Sequence, residues 1–278
     1  MMYEFINAVS DNCKKAFAKA ECDFEKGGLL YCGKCGTPKQ CRIEINGTLR
    51  TEYCMCECEN EAYMKEREKI KSSKRKDAAE RMRCVCFSGK QSLYSSTFSD
   101  DDGKGDRNAF RTFRNYADNF DTAFKENHGI LIYGNVGSGK TFAAACITNQ
   151  VIDSGYTSYF TSFPEIKNIL WSANDKQAVI NDICSYDLLV IDDFGVESNG
   201  SYTSEIITNI FDTRVKMQKP MVLTSNFTPE QLTKGGKIEH QRIISRVLGD
   251  CMAIKYTGED RRNVSRTRHL DFYQKITG

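Results

Sequence analysis

The chain has 278 residues, 40% of them hydrophobic and 27% charged, with a formal net charge of only +2. That composition suits a globular protein of one large domain plus a small one and excludes the strongly basic kind of nucleic-acid protein, so any nucleic-acid contact has to come from a local patch. No stretch is long and apolar enough to span a bilayer and the start lacks a signal-peptide pattern, so the 13 cysteines read as reduced thiols and metal ligands of a cytoplasmic protein that does not engage membranes.

Residues 3–24 predict a helix, with Phe5, Ile6, Val9, Cys13, Ala16 and Phe17 forming an apolar stripe. Most such stripes face a core; a partner-binding face is the alternative. Six of the thirteen cysteines then crowd into residues 32–58. Cys32-Gly33-Lys34-Cys35-Gly36 is a C-x-x-C-G knuckle, and Cys54, Cys56 and Cys58 follow a predicted hairpin that turns at Asn46-Gly47. Two cysteine pairs brought together by a hairpin can set four thiolates around Zn²⁺, which would stabilise a segment with little core. Cys32, Cys35, Cys56 and Cys58 are the expected ligands, because a polar helical run begins at Glu59. Cys54 is the alternate and Cys41 the outsider; free buried thiols or a redox pair are the competing readings.

From Glu59 to Arg83 the chain is charge-rich and lacks Gly and Pro, which predicts an exposed helix with i,i+4 pairs such as Glu61–Lys65. Its basic cluster, Lys71, Lys74, Arg75 and Lys76, reads as a solvated face before it reads as a nucleic-acid contact. The Asp- and Gly-rich residues 95–106 predict loop. The expected organisation is therefore a partner-binding module over 1–90, a linker over 91–106, and a main domain over 107–278. That domain opens with a helix at 107–124 carrying Phe110, Phe113, Tyr116, Ala117 and Phe120.

The most informative stretch follows. Ile130–Tyr133 is a short apolar strand, and Gly134-Asn135-Val136-Gly137-Ser138-Gly139-Lys140-Thr141 fits G-x-x-x-x-G-K-[ST] before an apolar helix. In this setting glycines let backbone N–H groups turn inward around phosphate oxygens, and the helix N-terminus adds partial positive charge. Lys140 can reach the β- and γ-phosphates of ATP, and the Thr141 hydroxyl can ligate Mg²⁺. A second strand at Thr157–Phe160 and a helix from Phe163 lead to Asp187–Ile191, a buried strand ending in Asp192-Asp193. Asp192 is placed to hold Mg²⁺ beside Thr141, and Asp193 to orient and deprotonate a water. After a helix over 202–217, the strand Met221–Asn226 ends in an amide that can position that water. Asn226 can equally be a helix cap ahead of Pro229. A helix then carries Arg242 and Arg246 one turn apart, and a last strand, Cys251–Tyr256, precedes Gly258-Glu259-Asp260-Arg261-Arg262.

Taken in order, GNVGSGKT, DLLVIDDFG, LTSN, RIISRV and GEDRR resemble the motifs of AAA+ helicase loaders of the DnaC/DnaI type, and of the related IstB-like transposition helpers. The segment from Cys32 to Glu61 resembles the zinc-binding segment that many phage and Gram-positive loaders carry ahead of the ATPase. The resemblance covers roughly residues 30–268 and implies an α/β fold with a parallel sheet in the order 5-1-4-3-2. It matches Lys140 and Thr141 to Walker A, Asp192 and Asp193 to Walker B, Asn226 to sensor 1, Arg246 to the arginine finger with Arg242 as its rival, and Arg262 to sensor 2. Asp193 stands where many AAA+ proteins have Glu, which implies slow, switch-like hydrolysis. The implied partners are a replicative DNA helicase, single-stranded DNA, and further copies of the chain in an ATP-dependent homo-oligomer. The rival readings are an IstB-like helper of a transposase, a small-molecule kinase, and a zinc-dependent DNA-binding module with an idle nucleotide site.

Overall fold

The computed structural model describes residues 20–45, 47–195, 201–234, 238–260 and 273–276. The chain divides into two compact units between Lys74 and Arg75, inside the 30-residue helix α1 (Glu57–Cys86).

The first unit is built from two antiparallel hairpins and the start of α1. Strands β1 (Phe24–Lys26) and β2 (Leu29–Tyr31) pair with Phe24 opposite Tyr31. Gly27 and Gly28, both at positive φ (61° and 71°), supply a turn whose twist matches the strands. This corrects the C-terminal end of the predicted first helix. Residues 3–19 lie outside the described residues, but Glu21 and Cys22 form a turn and Phe24 is already strand. The turn is fixed by Asp23, whose carboxylate accepts from the Ala20 backbone N–H at 2.9 Å. Strands β3 (Gln40–Ile45) and β4 (Thr48–Tyr53) form the second hairpin, as Asn-Gly predicts, with Ile45 opposite Thr48 and Gly47 at φ 76°. The predicted helix follows, yet Glu61 and Lys65 form no ion pair along it.

The second unit opens with the end of α1, then α2 (Gln91–Tyr94) and a 3-10 turn at Phe98–Asp100. Phe87 and Phe98 are buried in its core. The helix predicted over 107–124 is broken into α3 (Arg107–Asp118) and α4 (Phe120–Lys125). Asn119 ends the first piece, its amide donating to the Asn115 carbonyl at 2.8 Å. The rest alternates strand and helix: β5 (Gly129–Tyr133), α5 (Lys140–Asp153), β6 (Ser158–Thr161), α6 (Phe163–Ser172), α7 (Lys176–Ser185), β7 (Leu188–Ile191), α8 (Ser201–Met217), β8 (Met221–Ser225), α9 (Pro229–Lys234), α10 (Ile238–Gly249) and β9 (Cys251–Lys255). The five strands are parallel, in the order β6-β7-β8-β5-β9. Numbered within this unit and read from the β9 edge, that is the expected 5-1-4-3-2.

The alternation of side chains along each strand divides the core in two. Ile130, Ile132, Leu188, Val190 and Val222 point into one layer, packed with α5 and the aromatic faces of α3 and α4. Leu131, Leu189, Ile191, Met221 and Leu223 point into the other, packed with α6, α7, α8 and α10. Burial on both faces is why these strands read as continuous apolar runs. One cation is buried in the second layer. Arg214 of α8 is fully buried, and its guanidinium donates to the backbone carbonyls of Cys184 (2.7 Å), Asp187 (2.9 Å), Tyr186 and Pro220. It ties the end of α7 to the starts of β7 and β8. Burial lowers its pKa to about 10, so it stays charged at neutral pH.

Candidate nucleotide site and cysteine cluster

Because β5 lies inside the sheet, between β8 and β9, the loop after it emerges between the ends of those two strands, the crevice position where parallel sheets bind ligands. Gly134, Gly137 and Gly139 all lie at positive φ (155°, 78° and 96°), so the loop folds into a cradle ending at the N-terminus of α5. Two of these glycines are also required by their neighbours. A Cβ on Gly134 would lie 2.1 Å from the Tyr256 carbonyl oxygen, and one on Gly137 would lie 1.9 Å from an Asp260 carboxylate oxygen. Asn135 donates its amide to the Gly258 carbonyl at 3.0 Å. Val136 is exposed on the loop, while Ser138 is buried beneath it.

The sequence-predicted residues converge here. Buried Lys140 donates to the loop carbonyls of Gly134 (3.1 Å) and Asn135 (2.8 Å), and to the side-chain oxygen of Asn226 at 2.8 Å. Asn226 thus stands at the end of β8 facing the cradle. Thr141 donates its hydroxyl to Asp192, 3.0 and 3.1 Å from the two carboxylate oxygens. A hydroxyl and a carboxylate at this separation, beside an anion-binding loop, can share one magnesium ion. Burial raises the Asp192 pKa above the ordinary carboxylate value, the Asp193 charge adds to this, and hydrogen bonds from Thr224 and Thr141 oppose it. Asp193 is exposed and in the left-handed region at φ 54°.

Sequence reasoning missed Thr224. Its buried hydroxyl donates to Asp192 at 2.5 Å and accepts from the Asp193 backbone N–H at 2.9 Å, so one side chain fixes both acids. Phe194 N–H donates to the Thr224 carbonyl at 2.7 Å, and Ser225 donates its hydroxyl to the Phe194 carbonyl at 2.6 Å. The available signal was the run of polar residues ending an otherwise apolar strand. The arginines are not brought to the cradle with these groups. Arg246 is largely exposed on α10, 3.9 Å from Asp212 of α8, Arg242 is exposed on the same helix, and Arg262 lies outside the described residues.

In the first unit the thiols of Cys32, Cys35, Cys56 and Cys58 all lie within 4.8 Å of one another. Cys32 and Cys58 are 3.6 Å apart and Cys56 and Cys58 are 3.4 Å apart. A tetrahedron of sulfurs about 2.3 Å from a central zinc has edges of about 3.8 Å, so the donor set fits that ion. Cys54 points elsewhere, its thiol 3.5 Å from the Pro38 carbonyl. The Thr37 hydroxyl, 3.0 Å from the Cys35 sulfur, leads the effects that lower that thiol to about 5. The knuckle N–H groups of Cys35 and Lys34 lower Cys32, whereas burial raises Cys56.

This sheet order, with a glycine-rich loop after β5, acids after β7 and a further strand, β8, between those two, defines a P-loop protein of the AAA+ type. The profile of the IstB-like ATP binding protein family matches residues 56–269, and the chain belongs to that family. It is 30% identical over 148 residues to the replicative helicase loader DnaI of Bacillus subtilis (strain 168), covering 49% of this chain and 48% of that one. It is 26% identical over 166 residues to the replicative helicase loader DnaC of Escherichia coli (strain K12), covering 58% and 65%. The chain therefore matches about half the length of the first relative and under two thirds of the second. A crystal structure of DnaI shares the fold with a TM-score of 0.53 at 24% identity, over 62% of this chain and 93% of that one. Among the described residues no helix is long and apolar enough to cross a membrane.

Proposed function

We propose that this protein is a cytoplasmic ATPase that loads a replicative DNA helicase onto single-stranded DNA. The observation that carries the reading is the closure of the two Walker elements on one another: Thr141 on Asp192 at 3.0 Å, with Lys140 on Asn226 at 2.8 Å. Similarity to DnaI and DnaC supports the loader role, and the family match supports ATP as the ligand.

In this reading the cradle N–H groups and Lys140 hold the ATP phosphates, Lys140 exchanging its loop carbonyls for phosphate oxygens. Thr141 and Asp192 would hold magnesium, which when bound neutralises charge on the phosphates. Asp193 takes a proton from the attacking water, and Asn226, released from Lys140, orients that water through its amide. Arg246 or Arg242 of one subunit completes the site of the next in an ATP-dependent homo-oligomer, and Arg262 acts from the same chain. Hydrolysis to ADP and phosphate is slow, because the short Asp193 carboxylate reaches less far than Glu would. The first unit, to Lys74, recognises the helicase. Cys32, Cys35, Cys56 and Cys58 would hold zinc there, which when bound supplies folding energy.

The test is ATP turnover measured alone, with single-stranded DNA and with candidate helicases. Lys140→Ala and Asp193→Asn should both lose turnover, with Asp193→Asn keeping nucleotide affinity. Full turnover in Asp193→Asn would remove that residue from the mechanism. The family description favours one second reading, an IstB-like helper of a transposase. Capture of a transposase and not a helicase by the full chain would decide for it.

A further inference from the structure

The first part of α1 has no buried face. Every residue from Asn60 to Lys74 is exposed, although the segment carries large apolar side chains: Tyr63 is 46% exposed, Met64 54% and Ile70 47%. A helix exposed on all sides is either a solvated strut or a surface awaiting a partner, and the placement of its apolar side chains among its charges distinguishes the two.

Positive charge lies on both sides of this helix, with Lys65 and Lys69 opposite Arg67 and Lys74, but the large apolar side chains all fall in one arc, among cations. At 3.6 residues per turn, Tyr63, Met64, Arg67, Ile70, Lys71 and Lys74 share roughly one third of the circumference. Glu61 and Glu66 fall outside that arc, and Glu68 is the one acid of the segment that lines the same surface as Met64, Arg67, Ile70, Lys71 and Lys74. Arg67 stacks over the Tyr63 ring, its guanidinium carbon 5.7 Å from the centroid. No acidic side chain among the described residues pairs with Arg67, Lys71 or Lys74, in contrast to Lys39 of the same unit, which meets Asp23 and Glu59 at 3.0 Å each. The stripe runs about 16 Å along the axis, with three cations, outside any ion pair among the described residues, set among Tyr63, Met64 and Ile70.

From this we infer that the face of α1 formed by Tyr63, Met64, Arg67, Ile70, Lys71 and Lys74 binds single-stranded nucleic acid. The cations take successive phosphates, and the apolar side chains receive bases, Tyr63 by stacking. Charge complementarity selects this occupant. The apolar positions are too few for a membrane surface or a continuous helix–helix seam, and an unpaired strand offers both phosphates and accessible base faces, whereas a duplex hides the latter. The inference rests on the proposed DNA role for the class of partner, and adds a contact in the first unit that does not depend on ATP.

The test uses the full chain and a fluorescently labelled oligothymidylate of about 20 nucleotides, read by anisotropy with and without a non-hydrolysable ATP analogue. Arg67→Glu/Lys71→Glu/Lys74→Glu should weaken the nucleotide-independent binding tenfold or more. It should also flatten the dependence of log affinity on log salt by about two. Lys65→Glu/Lys69→Glu/Lys76→Glu makes the same charge change off the stripe and should cost less than threefold. Tyr63→Ala should weaken binding about fivefold. Helical content and bound metal check that each variant is folded. Lys140→Ala should lose only the ATP-dependent increment, so failure of the ATPase reading and failure of the stripe give different patterns. The inference is overturned if the two triple variants weaken binding equally, if duplex DNA binds as tightly as the single strand, or if the stripe variant keeps DNA but loses a protein partner.

Discussion

The two units reach an ordered structure by different means. Among the described residues of the first unit the buried hydrophobic side chains are Leu30, Cys32 and Cys56, whereas the second buries an apolar layer on each face of its sheet. The first unit's other buried groups are polar. Lys39, 4% exposed, sits between Asp23 and Glu59. Burial opposes its charge, but the hydrogen bonds to both carboxylates outweigh this and hold it above the ordinary lysine pKa. A small unit of this kind depends on the geometry of thiolates and charges, because too little apolar area is buried to offset chain entropy. In the second unit the apolar sheet supplies the stability, and its strand ends are left to carry polar groups that would be costly elsewhere.

The largest effect that would break this contrast is loss of the zinc proposed for the cysteine cluster. Removing it with a chelator, or substituting Cys32→Ser, should unfold the first unit, since structural zinc in small modules contributes on the order of 10–16 kcal/mol. The expected readout is rapid proteolysis between residues 20 and 56 with the melting of the second unit unchanged. A first unit that stays protease-resistant without metal would show that its ion pairs and hairpins suffice. Next in size is Arg214→Leu, which should act only on the second unit. It leaves four carbonyls without their donor, those of Cys184 and Pro220 buried and those of Tyr186 and Asp187 partly buried, each buried unsatisfied acceptor costing about 1–3 kcal/mol before relaxation. A loss of about 3 kcal/mol or more in denaturant unfolding is expected, with bound metal unchanged. A smaller and more local effect is expected of Gly137→Ala, which has to accommodate both a φ of 78° and the Asp260 carboxylate. It should weaken nucleotide binding about tenfold by calorimetry while shifting the melting temperature little.

How much of this was legible beforehand follows from which interactions are local in the chain. The cradle, the acids after β7 and the amide after β8 are written in short contiguous spacings, and the buried strands in their apolar runs. Asn226 meeting Lys140 followed once the strand order was in hand. The choice between Cys54 and its neighbours was harder, because three cysteines alternate along one stretch. It depends on where β4 stops and α1 starts, and the chain turns into the helix at Glu57. Arg214 looked like an ordinary basic residue in the last turn of a helix, and nothing in its neighbours signals that carbonyls 28 and 30 residues away converge on it. Thr224 was overlooked for the same reason. Its role comes from parallel pairing of β7 with β8, which sets Ile191 beside Leu223 and so the two strand ends beside one another.

The sharpest test within the second unit is therefore Thr224→Val, which keeps the shape of the side chain and removes only its hydroxyl. The Asp193 N–H then loses its acceptor and Asp192 loses a donor held at 2.5 Å, a cost of about 1–2 kcal/mol. The consequence for turnover is more specific than that loss of stability. A non-glycine residue in the left-handed region costs of order 1 kcal/mol or more and persists only while its surroundings hold it there. Without the hydroxyl, Asp193 can relax from φ 54° and carry its carboxylate away from the position where a water is to be deprotonated. In the proposed mechanism nucleotide is held by Lys140 and the loop, which this substitution does not touch, so kcat should fall about tenfold while KM stays within twofold. Thr224→Ser restores the donor and acceptor and should recover most of the rate. A fall in KM-dependent binding with kcat preserved would mean that Thr224 supports the cradle and leaves the aim of Asp193 to the glycine that follows Phe194.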